Sequence, residues 1–184
     1  MPLNSESQEV VKREVYLCYD DSDEFYKKEF ESFLAKRFTI KNVEIQDREK
    51  MNPETYIHTL LTNKIITSET IILVFVGNET FENRFVDWEI HAGLKDGKNK
   101  ELDSHCALVA LVTPNFKFRK EKAITRRAKI PKRLLDNIDS KYCKIYPWTY
   151  SITGIQKVVN DAYSRKEQFK SKRVNTAPRL ESSK

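Results

Sequence analysis

The sequence predicts an α/β domain built on a doubly wound, mostly parallel sheet of five strands. Three observations carry that expectation. Short apolar runs alternate with amphipathic stretches in the order β-α-β-α-β-α-β-α-β-α. The run Thr70 to Val76 (TIILVFV) is apolar and rich in β-branched residues without a break, which suits a strand covered on both faces. The chain has 184 residues, 39% of them apolar and 11% aromatic, enough for one domain with a packed interior and too apolar for a disordered chain.

The elements follow in order. Glu14 to Tyr19 (EVYLCY) is the first buried strand. Asp20-Asp21-Ser22-Asp23 ends it and supplies acids suited to a helix start. Glu24 to Phe38 carries Phe25, Phe30, Phe33, Leu34 and Phe38 near the helical period. Thr39 to Ile45 contains the second strand. Asn52-Pro53-Glu54 then gives a cap, a proline and an early acid, so a helix starts there and runs through Tyr56, Ile57, Leu60, Leu61 and Ile65. After the Thr70 to Val76 strand and its break at Gly77, Arg84 to Asp96 is the next helix. Cys106 to Val112 is the fourth strand, and Thr113-Pro114 opens a long basic loop. Ile130 to Ile138 holds a helical turn, Tyr142 to Tyr146 a fifth strand, and Ser151 to Arg165 the last helix. Residues 1–12 are expected to be a disordered lead-in, 13–166 the domain, and 167–184 a basic flexible tail. The tail has few apolar residues (Phe169, Val174, Ala177, Leu180) and should be dispensable for folding.

The net charge of +6 is unevenly distributed. Residues 117–133 carry +8 and residues 164–184 carry +5, which leaves the rest of the chain at −7. Basicity confined to one loop and one tail disfavours nucleic-acid binding, which calls for a basic stripe on an ordered face. The loop follows the fourth strand, so it should start at the ligand edge of the sheet. There it either attracts an anion or stays solvated. No stretch approaches a membrane span, and the polar start lacks the apolar core of a secretory signal. Cys18, Cys106 and Cys143 are odd in number and widely spaced, which points to a reducing, cytoplasmic location and to no disulfide framework. Four glycines at these spacings exclude a Walker loop and a dinucleotide fingerprint, and no His/Cys spacing suggests a metal site.

In a sheet of this type the ligand crevice lies beyond the carboxyl ends of the strands. Asp20-Asp21 resembles the acidic pair of receiver domains. However, the third strand ends in Val76-Gly77-Asn78 and the fifth in Tyr146-Pro147-Trp148, so the phosphoacceptor and the lysine are both missing. Helix capping is the better role for the acids. Glu89 falls on the edge of the stripe formed by Val86, Ile90 and Gly93, near the crevice. A half-buried carboxylate there is a candidate for charge stabilisation or general-base chemistry, against the alternative of a surface salt bridge. Trp88, on the far side of that helix, reads as a packing or subunit-contact residue.

The blocks VYLCYDDSDEFYKKEFESFL, TSETIILVFVGNETFENRFVDWEIHAGLKDGK and IPKRLLDNI together resemble the TIR-like domains of the ThsB type from bacterial Thoeris defence systems. The resemblance implies a flavodoxin-like three-layer fold with a five-stranded, mostly parallel central sheet. It also implies an enzyme that takes NAD as a substrate, without a further cofactor. Such an enzyme would cleave the nicotinamide–ribose bond and release a cyclic or rearranged ADP-ribose signal, which activates a separate effector in anti-phage defence. The position matching the family's catalytic glutamate is Glu89. Tyr19, Asp20, Asn78 and Arg84 are expected to contact substrate. Self-association or a phage protein would supply the trigger. The competing expectation is a catalytically silent TIR-like module that recognises a phage or partner protein.

Overall fold

A computed structural model describes residues 12–41, 45, 47–96 and 105–181. The expected lead-in falls almost wholly outside these residues. Five apolar runs form the strands β1 (Glu14–Cys18), β2 (Thr39–Lys41), β3 (Thr70–Val76), β4 (Ala107–Val112) and β5 (Lys144–Pro147). They make one parallel sheet in the order β2-β1-β3-β4-β5. The expected flavodoxin-like three-layer fold is the one observed. β3 pairs with β1 on one side and β4 on the other, so both its faces and both its edges are covered, and every residue of it is buried. That is why an unbroken apolar run was required there.

The helices are α1 (Glu24–Leu34), α2 (Pro53–Thr62), α3 (Arg84–Gly93), α4 (Ala123–Ala128), α5 (Lys132–Asp139) and α6 (Ile152–Gln168). Strand alternation divides the interior into two cores. Tyr16, Cys18, Ile72, Val74 and Val76 face α2, α3 and α5, whereas Val15, Leu17, Ile71, Leu73 and Phe75 face α1 and α6. Local signals account for the helix starts. The Asn52 side chain accepts from the Thr55 amide at 2.8 Å with Pro53 in the first turn, and Ser151 caps α6 through the Gly154 amide at 3.2 Å. Among the described residues no helix is long and apolar enough to cross a membrane.

Three elements differ from expectation. α3 stops at Gly93 rather than Asp96, because Gly93 lies against Ile72 and its carbonyl accepts the Cys106 amide at 2.8 Å, which turns the chain into β4. β2 ends at Lys41, and residues 42–44 lie outside the described set. The basic loop is ordered. Phe116 and Phe118 anchor it edge to face at 5.6 Å, Lys129 sits 3.9 Å over the Phe81 ring, and a 3-10 turn at Lys117–Lys120 and helix α4 lie between.

The tail takes a course its composition did not indicate. Residues 169–181 run back along α5 and α3. Asn137 of α5 donates to the Val174 carbonyl at 2.7 Å and accepts the Val174 amide at 3.0 Å. Arg133, fully buried, donates to Asp87 at 3.0 Å, to the Asn175 side chain at 2.8 Å and to the Ala177 carbonyl at 2.9 Å. The Leu180 amide donates to Asp87 at 2.9 Å, and the Leu180 carbonyl accepts the Trp88 indole N–H at 2.8 Å. Counting apolar residues missed this docking, because the tail is held by backbone hydrogen bonds to a buried ion pair. Trp88 is accordingly buried inside the chain by its own C-terminal segment.

Truncation after Gln168 strips partners from Asp87, Arg133, Asn137 and Trp88. With about 1–3 kcal/mol for each buried polar group left unsatisfied, the melting temperature should fall by roughly 10 °C or more. Thermal unfolding of the truncated chain checks this, and an unchanged midpoint would show that the tail contributes nothing.

Candidate active site

The order β2-β1-β3 reverses the direction of winding between β1 and β3, and a ligand crevice forms beyond the strand ends at such a point. The residues there are tied together by side chains that hold backbone. Thr80 Oγ1 accepts the Gly77 amide at 2.8 Å and donates to the Phe75 carbonyl at 3.0 Å, closing the turn after β3. Asn83 caps α3, its Oδ1 accepting from the Phe85 and Val86 amides at 2.8 and 3.2 Å, while its Nδ2 donates to Asp20 at 2.7 Å. Asp20 therefore anchors the start of α3 to the end of β1, besides accepting the Ser22 amide at 2.9 Å in its own turn. Burial raises the Asp20 carboxyl, but the hydrogen bonds from Ser22 and Asn83 outweigh it and hold the group below its usual range.

This anchoring aims the first two turns of α3. Phe85, Val86, Asp87, Trp88, Glu89 and Ile90 are all buried. Glu89 points at β1 and α2 and is 6% exposed. Tyr56 of α2 donates its hydroxyl to Glu89 Oε1 at 2.7 Å. Burial pushes the Glu89 carboxyl up. The Cys18 thiol, the Tyr56 and Tyr16 hydroxyls and the charge of Arg48 pull it down without cancelling the rise. Burial and the charge of Glu89 in turn push Tyr16, Cys18 and Tyr56 well up, so all three stay protonated beside the carboxylate; Tyr56 donates to it, and the Cys18 thiol donates to the Val86 carbonyl at 3.7 Å. The result is one buried carboxylate held by the Tyr56 hydroxyl, with Tyr16, Cys18 and the charge of Arg48 close by.

Above it lies the segment before α2. Arg48 sits 4.8 Å over the Phe85 ring and pairs with Asp21 at 2.7 Å, and Arg84 pairs with Glu49 at 2.8 Å. Both pairs have a largely exposed partner, Asp21 at 72% and Glu49 at 66%. Each such pair contributes at most about 1 kcal/mol, so the cover over Glu89 is lightly held.

The other expected substrate contacts are dispersed. Arg84 lies beside Glu89's cover, over Phe85 and Trp88, and Asp20 is a structural anchor. Tyr19 follows Cys18 and therefore faces the opposite side of the sheet, 6.3 Å from Phe75, away from Glu89. Asn78 tethers the basic segment, donating to the Asn115 carbonyl at 3.2 Å and accepting the Lys117 amide at 2.8 Å. The residues that do surround Glu89 are Tyr16, Cys18, Tyr56 and Arg48. Each has an ordinary structural reading in the sequence, and only the fold brings them together. The basic segment begins at the carboxyl edge as expected but covers the ends of β3, β4 and β5, whereas Glu89 belongs to the β1 side.

Residues 16–102 match the family model of the Thoeris protein ThsB, TIR-like domain. A ThsB-type TIR-like domain is detected over that segment, a little under half of the chain. The matched segment contains Tyr16, Cys18, Arg48, Tyr56 and Glu89, while the basic segment and the tail lie beyond it. No curated protein and no solved structure matches the chain.

A second buried carboxylate stands at the same edge of the ThsB-type domain. Asp23 is 1% exposed, and neither of its oxygens has a hydrogen bond of ordinary geometry among the described residues. Burial and the charge of Asp20 push it up to about 6, against the weaker pull of Asn115 and Thr80. It packs directly on Gly77, where an added Cβ would fall 1.8 Å from Asp23 Oδ2. Gly77→Ala should therefore destabilise the protein by about 1–3 kcal/mol, read by denaturant unfolding.

Asp23 and Glu89 share one sign of pH dependence. A carboxyl raised by folding binds its proton more tightly in the native state, so stability falls as pH rises from the ordinary value through the raised one. Glu89→Gln and Asp23→Asn should each make the protein more stable than wild type at pH 8, with the difference closing as pH falls to about 4. Melting temperatures across pH test this, and a gap that stays constant would reject it.

Proposed function

We propose that this protein is a Thoeris-type anti-phage enzyme that cleaves NAD at the nicotinamide–ribose bond and releases an ADP-ribose-type signal for a separate effector. The observation that carries the reading is the buried Glu89 carboxylate at the β1–β3 switch point of a ThsB-type domain. When the bond from ribose C1′ to the pyridinium nitrogen breaks, both electrons leave with nicotinamide, which departs neutral. No general acid is needed. The ribose is left as an oxocarbenium ion, and a buried carboxylate stabilises that charge far more than one in water would. Tyr56 holds Oε1, which leaves Oε2 to face the sugar and its hydroxyls. Attack by water gives ADP-ribose, and attack by an internal hydroxyl or ring nitrogen gives a cycle. Water or a hydroxyl sheds one proton as it attacks, which Glu89 is placed to accept, whereas a ring nitrogen attacks through its lone pair and gives up no proton at the reacting centre.

At 6% exposure Glu89 meets a ribose only after neighbouring groups move aside, and we assign that motion to the segment that begins at Arg48, whose charge acts on the Glu89 carboxyl. A trigger such as self-association or a phage protein would act by holding that segment open. The same closure is the observation that favours a silent recognition module instead.

Chromatography of NAD incubated with the protein, with and without phage-infected lysate, separates the two readings. Nicotinamide release should require ionised Glu89 and so rise with pH through a midpoint above the ordinary glutamate value. Glu89→Gln should lower it by at least about a hundredfold while the protein stays folded, and should abolish phage protection. Release at the wild-type rate from Glu89→Gln would sink the catalytic assignment.

A further inference from the structure

The basic segment roofs a cavity of about 500 Å³ at the carboxyl ends of β3, β4 and β5. Its floor is aliphatic: Val76, Val112, Leu135 and Ile145. Three of these four are only partly buried although they lie at the sheet end and on the inner face of α5, so the floor is open to the cavity. The roof is α4, none of whose six residues is buried. A helix this short with no buried residue has little reason to be held in place by its own packing. It stands over the cavity instead of filling it.

The rim is cationic. Arg119 and Arg126 line the cavity, and their guanidinium groups donate only to carbonyl oxygens: Arg119 to Thr113 at 2.9 Å, and Arg126 to Arg119 at 3.3 Å. Neither has a carboxylate partner among the described residues. Arg127, by contrast, is neutralised by Asp139 at 2.7 Å. Among the described residues no acidic side chain lines the cavity. Pockets of this volume with apolar walls and a few convergent polar groups are the usual form of a small-molecule site.

We propose that this cavity is a second binding site, distinct from the Glu89 site, for a small aliphatic anion. The tail would lie on Val112, Leu135 and Ile145 and the anionic head between Arg119 and Arg126. Uncompensated guanidinium groups beside a dry wall favour an anionic head over a neutral one. Carboxylate and phosphate heads share that chemistry. The site does not depend on NAD cleavage: apart from Val76 its lining comes from residues 112–147, beyond the segment matched to the ThsB model, and neither Glu89 nor any residue around it takes part.

Titration of the full chain with octanoate, octyl phosphate and octanol, by calorimetry at low salt, tests the proposal. One of the two anions should bind saturably at one per chain, at least tenfold tighter than octanol, and the tighter anion identifies the head. Replacing both Arg119 and Arg126 by Ser should bring that anion to the affinity of octanol. Ala123→Trp, on the exposed roof helix, should fill the cavity and abolish binding without unfolding the domain, as circular dichroism would register. Absence of saturable binding by either anion, equal binding of octanol, or binding undiminished in Ala123→Trp would overturn it.

Discussion

The ion pair between Asp87 and Arg133 organises the helical layer over β1, β3 and β4. Both side chains are removed from water, so the pair survives only if every remaining lone pair and proton is satisfied. That requirement recruits the C-terminal segment. Asn175, Ala177 and Leu180 are brought onto α3 and α5 because the guanidinium and the carboxylate have bonding capacity left over. Removing one partner of such a pair costs about 3–5 kcal/mol, whereas the pair itself contributes less. Its significance is therefore positional: it fixes how α3, α5 and the tail sit together.

Positioning of α3 is what makes the site. Asp87, Trp88 and Glu89 are consecutive and so point in three directions about 100° apart. On an ordinary surface helix at least one of them would meet water. Here Asp87 meets α5, Trp88 meets the tail and Tyr56, and Glu89 meets β1 and α2. With the third side of α3 covered by the tail, the helix is enclosed and Glu89 has no route to solvent through it. The raised carboxyl of Glu89 is thus linked physically to a segment some ninety residues away in sequence.

Opposite ends of one sheet edge carry different chemistry. The β1 end is acidic and tightly bonded, with Asp20 and Asn83 pinning α3 and with Asp23 and Glu89 enclosed. The β4–β5 end is apolar below and basic above. Arg133 apart, which is buried against Asp87, the basic residues of 117–132 therefore bear on the far end of the edge from Glu89. Charge at that distance biases the approach of an anion but does not contact the Glu89 carboxylate.

Sequence alone determined the fold class and the five strands, and it set Glu89 at the margin of the buried face of α3. An unbroken TIILVFV run has no stable place except the centre of a doubly covered sheet, and the caps at Asn52 and Ser151 are local chemistry. The spacing of Val86, Glu89 and Ile90 placed the glutamate at the edge of a buried stripe, and the resemblance singled it out. Tertiary structure decided what surrounds it. Tyr56, Cys18 and Arg48 come from three separate segments, and each reads in sequence as core or surface. Tyr19, one residue beyond Cys18, is carried to the other face by the period of two in a strand. The tail and the basic segment eluded a reading by composition for one reason. Their order comes from hydrogen bonds and cation–ring contacts made to distant partners, and neither apolar content nor periodicity records a partner that only folding supplies.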